Sequence, residues 1–351
     1  MTQTKQWILN SHPKGLPTYN AGGADQTFKL IEKDLPAVQD GQILVKVLYI
    51  SNDPAQRGWL DYWPDESRLY VPPVHRGSVV HAFALAEVIE SKADGVKKGD
   101  TVSGLIGWTQ YSVLDAKAVR VVQPLPNNLP VTHYLGAIGL TGLTAYSGLI
   151  EVAQATRDDV VVVSGAAGAT GSMVVQIAKK ILGCKRVVGI AGGPQKCEWV
   201  KKLGADECVD YKAPDFEDQL AKATPDFVNV YFDNVGGNIL DSMFNRMVKD
   251  GRVAACGSIS NYNAKEEDKG DIFKNWFAVV SMRLRIRGFI VIDHAAKFSH
   301  MEEVFRKALE EGKLDIAEGE HVVDTTFEEV PGTWLKLFEG ANTGKLVTKL
   351  V

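Results

Sequence analysis

"VVVVSGAAGATGSMVVQIAKK", residues 160–180, decides the fold. Four valines run into glycines at 165, 168 and 171 and an apolar-striped segment follows, so a buried strand ends in a sharp turn that opens a helix. The first N–H groups of such a helix have no partner in its own ladder, and glycine lets a ligand come close to that backbone. A diphosphate fits there. The spacing is GxxGxxG rather than GxGxxG, and a glycine triplet alone also suits a tight turn that holds nothing. Strand and helix texture on both sides favours the dinucleotide.

Working outward, the helix near 168–182 leads to "RVVGIAG", then to a helix opened by Pro194 and closed by Gly204, then to "ECVDY", "FVNVYFD", "GRVAACG" and "LRIRGFIV". Short Val/Ile-rich strands alternating with helices imply a parallel sheet covered on both faces, a doubly wound domain. Upstream of about residue 125 the pattern is β: "GQILVKVLYIS" and "HAFALAEVIES" alternate, and "VKKGDTVSGLIGWTQYSVLD" reads as strands joined at Gly-Asp turns, which suggests a small barrel. Met301, Val304, Phe305, Ala308 and Leu309 form one apolar helix face. After it, "HVVDTTFEEV" and "GKLVTKLV" return to strand character, so the tail is expected to rejoin the barrel. The expected domains are 1–130 with 313–351, and 131–312. The run "NAKEEDKGD" (263–271) reads as a charged loop.

An NAD-binding domain of this type places an acid at the end of its second strand, about 20 residues beyond the glycines, to bind the ribose hydroxyls. Here that strand ends "GIAGGPQK" with no acid. Gly192 leaves space and Lys196 supplies a positive charge, so a 2′-phosphate is accommodated and NADP(H) is the expected cofactor; alone, Lys196 reads equally well as a solvated helix residue.

With 351 residues, 45% hydrophobic and 23% charged, the chain suits a two-domain globular protein. A net charge of −4, with no basic block beyond pairs such as Lys97-Lys98, argues against nucleic acid. The start "MTQTKQWILN" lacks a signal-peptide pattern and no apolar run approaches a membrane span, so a cytoplasmic location is expected. Cys184, Cys197, Cys208 and Cys256 have neither zinc-site nor CxxC spacing and read as thiols in a reducing compartment.

The segments "LTGLTAYSGL", "SGAAGATGSMVVQIAK", "KKLGADECVDYK", "YFDNVGG", "CGSISNYN" and "GANTGKLV", with "SNDPAQRGWL" near residue 55, together resemble the medium-chain dehydrogenase/reductase superfamily. Within it they are most similar to the zinc-independent branch of prostaglandin reductases, alkenal double-bond reductases and curcumin reductase, along nearly the whole chain. The resemblance implies a GroES-like β-barrel domain plus a Rossmann domain, with the substrate in the cleft between them. It implies a cofactor site formed by Thr144, by Gly168, Ala169, Thr170 and Gly171 at the diphosphate, and by Gly192, Lys196 and Tyr211 at the 2′-phosphate. Around the nicotinamide it implies Asn234, the Cys256–Tyr262 segment with Ser258 and Ser260, Phe289, Ile290, Val291 and Asn342. Where relatives often carry a serine, Gly192 removes one phosphate contact. Asn234 also reads as a turn residue and Phe289 as core.

The first domain has no cysteine, and His75 and His81 read as ordinary polar residues, so no metal is expected. Without zinc to polarise a carbonyl, the resemblance implies reduction of the C=C bond of an α,β-unsaturated ketone or aldehyde, hydride going to the β-carbon. Tyr262, with the nicotinamide ribose hydroxyl, is the expected hydrogen-bond donor to the enolate oxygen. The substrate pocket is expected to include Asn52, Ala55, Phe83, Tyr262 and Phe289. Ala55 replaces a tyrosine of "DPYMRG", and Phe83 stands where some relatives have tyrosine, so the pocket is expected to be roomier and less polar. Competing readings are a quinone or carbonyl reductase and a non-catalytic NADPH-binding protein. A homodimer through an edge strand near "LRIRGFIV" is implied by the resemblance alone.

Overall fold

A computed structural model describes residues 3–20, 22–265 and 273–351, so most of the charged run 263–271 lies outside the described residues. The chain divides into two compact units: Met1–Leu135 with His321–Asn342 and Leu346–Val351, and Gly136–Glu320 with Thr343–Lys345. The first unit thus ends at Leu135 rather than 130 and resumes at His321 rather than 313.

The first unit opens with β1 (Gln3–Leu9), β2 (Phe28–Asp34), β3 (Gln42–Ser51), β4 (Phe83–Ser91), β5 (Thr101–Leu105), β6 (Tyr111–Asp115) and β7 (Val119–Val121). Alternation in β3 and β4 turns Ile43, Val45, Val47, Ala84, Ala86 and Val88 into one core with Trp108 and Trp334. Phe28, Trp108 and Trp334 meet ring to ring at 5.0–5.9 Å.

The second unit carries β8 (Val160–Ser164), β9 (Arg186–Ala191), β10 (Glu207–Asp210), β11 (Val228–Asp233), β12 (Met247–Ala255) and β13 (Arg285–Gly288). They form one sheet in the order β10-β9-β8-β11-β12-β13, with parallel pairing throughout. This is the doubly wound order, and its direction of winding reverses between β8 and β11. All five residues of β8 are buried, as a strand covered on both faces requires. After the turn, the helix Ala169–Gln176 continues in wider π-type turns through Leu182 and stops at Gly183, φ +69°.

The chain returns to the first unit through β14 (Glu320–Thr325) and β15 (Lys345–Leu350), and β15 pairs antiparallel with β3. Two strand expectations are too long. In "HVVDTTFEEV", β14 stops at Thr325 because a tight turn at Phe327–Glu329 leads into the helix Val330–Leu335, with Pro331 in its first turn. In "LRIRGFIV" the strand ends at Gly288, and Phe289 leaves it to pack edge to face on Phe232, centroids 6.2 Å apart.

Candidate functional site

At the carboxyl end of β8 the glycines have separate physical reasons. Gly165 has φ +59°, a conformation costly for other residues. A Cβ on Gly171 would lie 2.3 Å from the Gly165 carbonyl oxygen and 2.8 Å from Ala166 Cα, so the helix can start this close to the turn only with glycine. Gly168 is extended and caps the helix, and the Ser172 N–H makes its 2.9 Å bond to Gly168 O. Ala169, Thr170 and Gly171 are thereby the first-turn donors that a diphosphate would use. The tail braces this turn: Gly344 N–H donates to Ala167 O at 2.8 Å, and Gly168 and Gly344 form a parallel bridge.

At the winding reversal, β8 and β11 are tied together by a buried carboxylate that the sequence reading passed over. Asp233 is 1% exposed. Its Oδ1 accepts hydrogen bonds from Ser164 Oγ at 3.0 Å, Tyr231 Oη at 2.9 Å, and the Val235 and Gly236 N–H groups at 3.0 Å each. Burial and this carboxylate hold the Tyr231 phenol well above its ordinary pKa, and they push the Cys256 thiol up to about 12. Asn234 faces the strand ends: Nδ2 donates to Ser164 O at 2.7 Å and its N–H donates to Ser164 Oγ at 2.9 Å.

The segment 256–262 zips onto this turn. Cys256 and Gly257 N–H groups donate to Asp233 O, and Ser260 Oγ donates to Val235 O at 2.7 Å. Gly236 and Gly237 have positive φ, and Cβ atoms there would stand 2.5 Å from Ser258 Oγ and 2.8 Å from Ser260 Oγ. Ser258 Oγ also accepts from Asn261 Nδ2 at 2.9 Å, so both serine hydroxyls have structural partners in the loop. Tyr262 folds its hydroxyl back onto the same backbone, accepting the Ser258 N–H at 3.2 Å. An O–H that accepts from an N–H is polarised and donates more strongly through its own proton.

Around the end of β9, a Cβ on Gly192 would meet Tyr211 Cε1 at 2.8 Å and Lys212 Cε at 3.0 Å. The space left by glycine is therefore closed over by those two side chains. Asp210 Oδ1 accepts from the N–H groups of both Gly193, at 2.8 Å, and Lys212, at 2.9 Å, and joins the two loops into one rim. Burial first, and the charge of Lys212 second, hold Lys196 below the ordinary lysine pKa. Two ammonium groups that repel each other across a rim fit a bound dianion, which relieves both effects. Lys212 adjoins Tyr211 in "VDYK" and was legible there, but only the fold brings it to Gly192.

Other expected residues lie as follows. Thr144 Oγ1 donates to Leu140 O, one turn back in the helix Leu140–Tyr146. Phe289, half-buried with Ile290 and Val291, covers Gly148, where a Cβ would come within 2.4 Å of its ring. Asn52, Ala55, Phe83 and Asn342 belong to the first unit. Asn52 is 1% exposed, and its Nδ2 donates to Thr348 Oγ1 at 3.0 Å, tying the end of β3 to β15. Ala55 packs against the core of the first unit, and Phe83 is half-buried at the start of β4.

Family models described as "N-terminal domain of oxidoreductase" and "Zinc-binding dehydrogenase" match residues 5–122 and 169–310. Among the described residues no three His, Cys, Asp or Glu side chains are grouped to hold a metal ion. The chain is 34% identical to the NADPH-dependent curcumin reductase of Escherichia coli, covering 99% of this chain and 97% of that protein. It is 35% identical to prostaglandin reductase 1 of Mus musculus, covering 99% and 100%. The crystal structure of CurA from Vibrio vulnificus in complex with NADPH superposes with a TM-score of 0.87 at 33% identity, covering 99% of each chain. These matches span both units, and the protein belongs to the medium-chain dehydrogenase/reductase superfamily, in the branch of the prostaglandin and curcumin reductases.

Proposed function

We propose that the protein uses NADPH to reduce the carbon–carbon double bond of α,β-unsaturated ketones or aldehydes. The observation that carries the cofactor is the Gly192 rim, where Lys196, Tyr211 and Lys212 converge and Asp210 is engaged with backbone N–H groups. The reaction class rests on kinship with proteins named as curcumin and prostaglandin reductases.

Bound NADPH supplies the hydride. Ala169, Thr170 and Gly171 present their N–H groups to the diphosphate, and Lys196, Tyr211 and Lys212 hold the 2′-phosphate. The zipped segments 233–237 and 256–262 shape the nicotinamide end, with Phe289 and Val291 alongside. Tyr262, polarised by the Ser258 N–H, donates its hydroxyl hydrogen bond to the substrate oxygen as negative charge develops there. The α-carbon takes its proton from water or through this hydroxyl. Turnover of one conjugated enone, followed by NADPH absorbance against NADH and by mass spectrometry of the product, tests the reading. A saturated ketone made with NADPH supports it; an allylic alcohol overturns it.

The four thiols are free, and no described helix is long and apolar enough to cross a membrane, which supports a cytoplasmic protein. A homodimer through β13 completes the proposal. All four residues of this edge strand are exposed, and Trp276, Phe277 and Val280 are exposed on the helix before it. Light scattering on wild type and Ile286→Asp tests it: a wild-type monomer refutes the dimer.

A further inference from the structure

Beneath the Gly192 rim lies a pair of thiols that the proposed reaction does not use. Cys197 is on the helix Pro194–Lys202, where it and Val200 are the buried residues, one turn apart on the same face. Cys208 is on β10, opposite Gly189 of β9. Where a Cβ on Gly189 would stand, Cys208 Sγ lies 3.3 Å away and Val200 Cγ1 2.5 Å away, so the missing side chain brings the Cys208 sulfur against the helix face that carries Cys197. The two thiols interact, each being the largest influence on the other's ionisation.

We propose that Cys197 and Cys208 form a two-electron oxidation site that a hydroperoxide closes to a disulfide. One thiol, as thiolate, attacks the peroxide oxygen to give a sulfenic acid and water or an alcohol. The second thiol attacks the sulfenic sulfur, the S–O bond breaks, and the thiol's proton passes to the departing hydroxide, so that water leaves as the S–S bond forms. Two thiols are oxidised and one peroxide is reduced. Because each thiol is the largest influence on the other's ionisation, the pair shares one readily lost proton, and whichever thiol gives it up attacks while its partner resolves. Lys201, one turn on, adds positive charge. The other two cysteines are poor competitors, since burial pushes Cys184 to about 11 and Cys256 to about 12.

Cys197 follows Lys196 directly, and Cys208 lies on β10 three residues before Tyr211, so closing the bond draws together the two segments that form the rim. This consequence rests on the NADPH reading; formation of the bond does not. The experiment treats the whole protein with hydrogen peroxide, blocks free thiols, and digests it with trypsin without reductant. The expected product is "CEWVK" (197–201) linked to "LGADECVDYK" (203–212), with the mass of two hydrogen atoms lost and denatured thiols falling from the four of the reduced chain to two. Dithiothreitol restores all four. Absence of the linked peptide, or sulfinic acid on either cysteine without it, overturns the site. In the oxidised protein KM for NADPH is expected to rise with kcat held, an effect absent from C197S and C208S. An unchanged KM with the bond formed overturns the link to the rim and leaves the oxidation site standing. Failure of NADPH to bind the reduced protein refutes the cofactor reading instead.

Discussion

Replacing Asp233 by alanine is the sharpest test of the winding reversal as a built site. The carboxylate accepts four hydrogen bonds at 2.9–3.0 Å while 1% exposed. Asp233→Ala leaves the Val235 and Gly236 N–H groups and the fully buried Tyr231 hydroxyl without their acceptor. Ser164 Oγ keeps a hydrogen bond from the Asn234 N–H, so it loses less. At about 1–3 kcal/mol for each orphaned buried group, three groups give a ceiling near 9 kcal/mol. Entry of water into the small cavity and loss of the carboxylate's own desolvation penalty reduce that to about 3–5 kcal/mol. In a unit of this size each kcal/mol moves Tm by about 2–4 °C, so the expected fall is roughly 6–20 °C. Asp233→Asn keeps an acceptor but loses the charge, and about 1–2 kcal/mol is expected. Tyr231→Phe removes one donor and leaves no orphan, so it should cost least, at about 1 kcal/mol. Thermal and urea unfolding of the three variants give the order directly. A fall of less than about 2 °C for Asp233→Ala, or Tyr231→Phe costing as much as Asp233→Ala, would refute the reasoning.

Tyr262→Phe should lower kcat on a conjugated enone by about 100-fold with KM for NADPH nearly unchanged, and stopped assays with product analysis read both; equal turnover removes the hydroxyl from the mechanism. Lys196→Gln and Lys212→Gln should each raise KM for NADPH about tenfold and leave KM for NADH unchanged, as expected for one charge-assisted contact each. Because burial and Lys212 lower the Lys196 pKa, its charge is present at low pH and lost as pH rises through that lowered value. NADPH affinity should therefore weaken below the ordinary lysine pKa, and Lys196→Gln should abolish this pH dependence in titrations of NADPH binding. Gly148→Ala places a Cβ 2.4–2.5 Å from the Phe289 and Phe232 rings and should cost about 1–3 kcal/mol of stability in urea unfolding.

The valine run and its glycines disclosed the parallel sheet because their pattern is local: a strand buried on both faces is apolar throughout, and a turn this tight excludes side chains. The alternating strands of the first unit were legible for the same reason. Strand ends were less so. Pro331 and the inward pull of Phe289 shorten β14 and β13, and the second of these depends on Phe232, far away in sequence. Of the proposed cofactor contacts, Gly168, Gly171 and Lys196 stand out in the sequence itself and Tyr211 through the resemblance. The hub at Asp233 does not, since an aspartate after an apolar strand looks the same whether it faces solvent or accepts four buried donors.

Gly192 reads differently in the sequence and in the fold. From sequence it is a vacancy: the resemblance implies that relatives often carry a serine hydroxyl there, and this chain has none. In the fold that vacancy is occupied. A Cβ would collide with the Tyr211 ring at 2.8 Å and crowd Lys212 Cε at 3.0 Å, so a serine could add its hydroxyl only by displacing a tyrosine and a lysine. In the proposed 2′-phosphate site, one neutral donor just beyond β9 is exchanged for a cation from the end of β10, and a dianionic phosphate would gain more from the cation. Gly192→Ser should therefore weaken NADPH binding rather than restore a missing contact, measured by titration of NADPH against NADH. Tighter NADPH binding by that variant would mean that Lys212 lies at the rim without holding the phosphate.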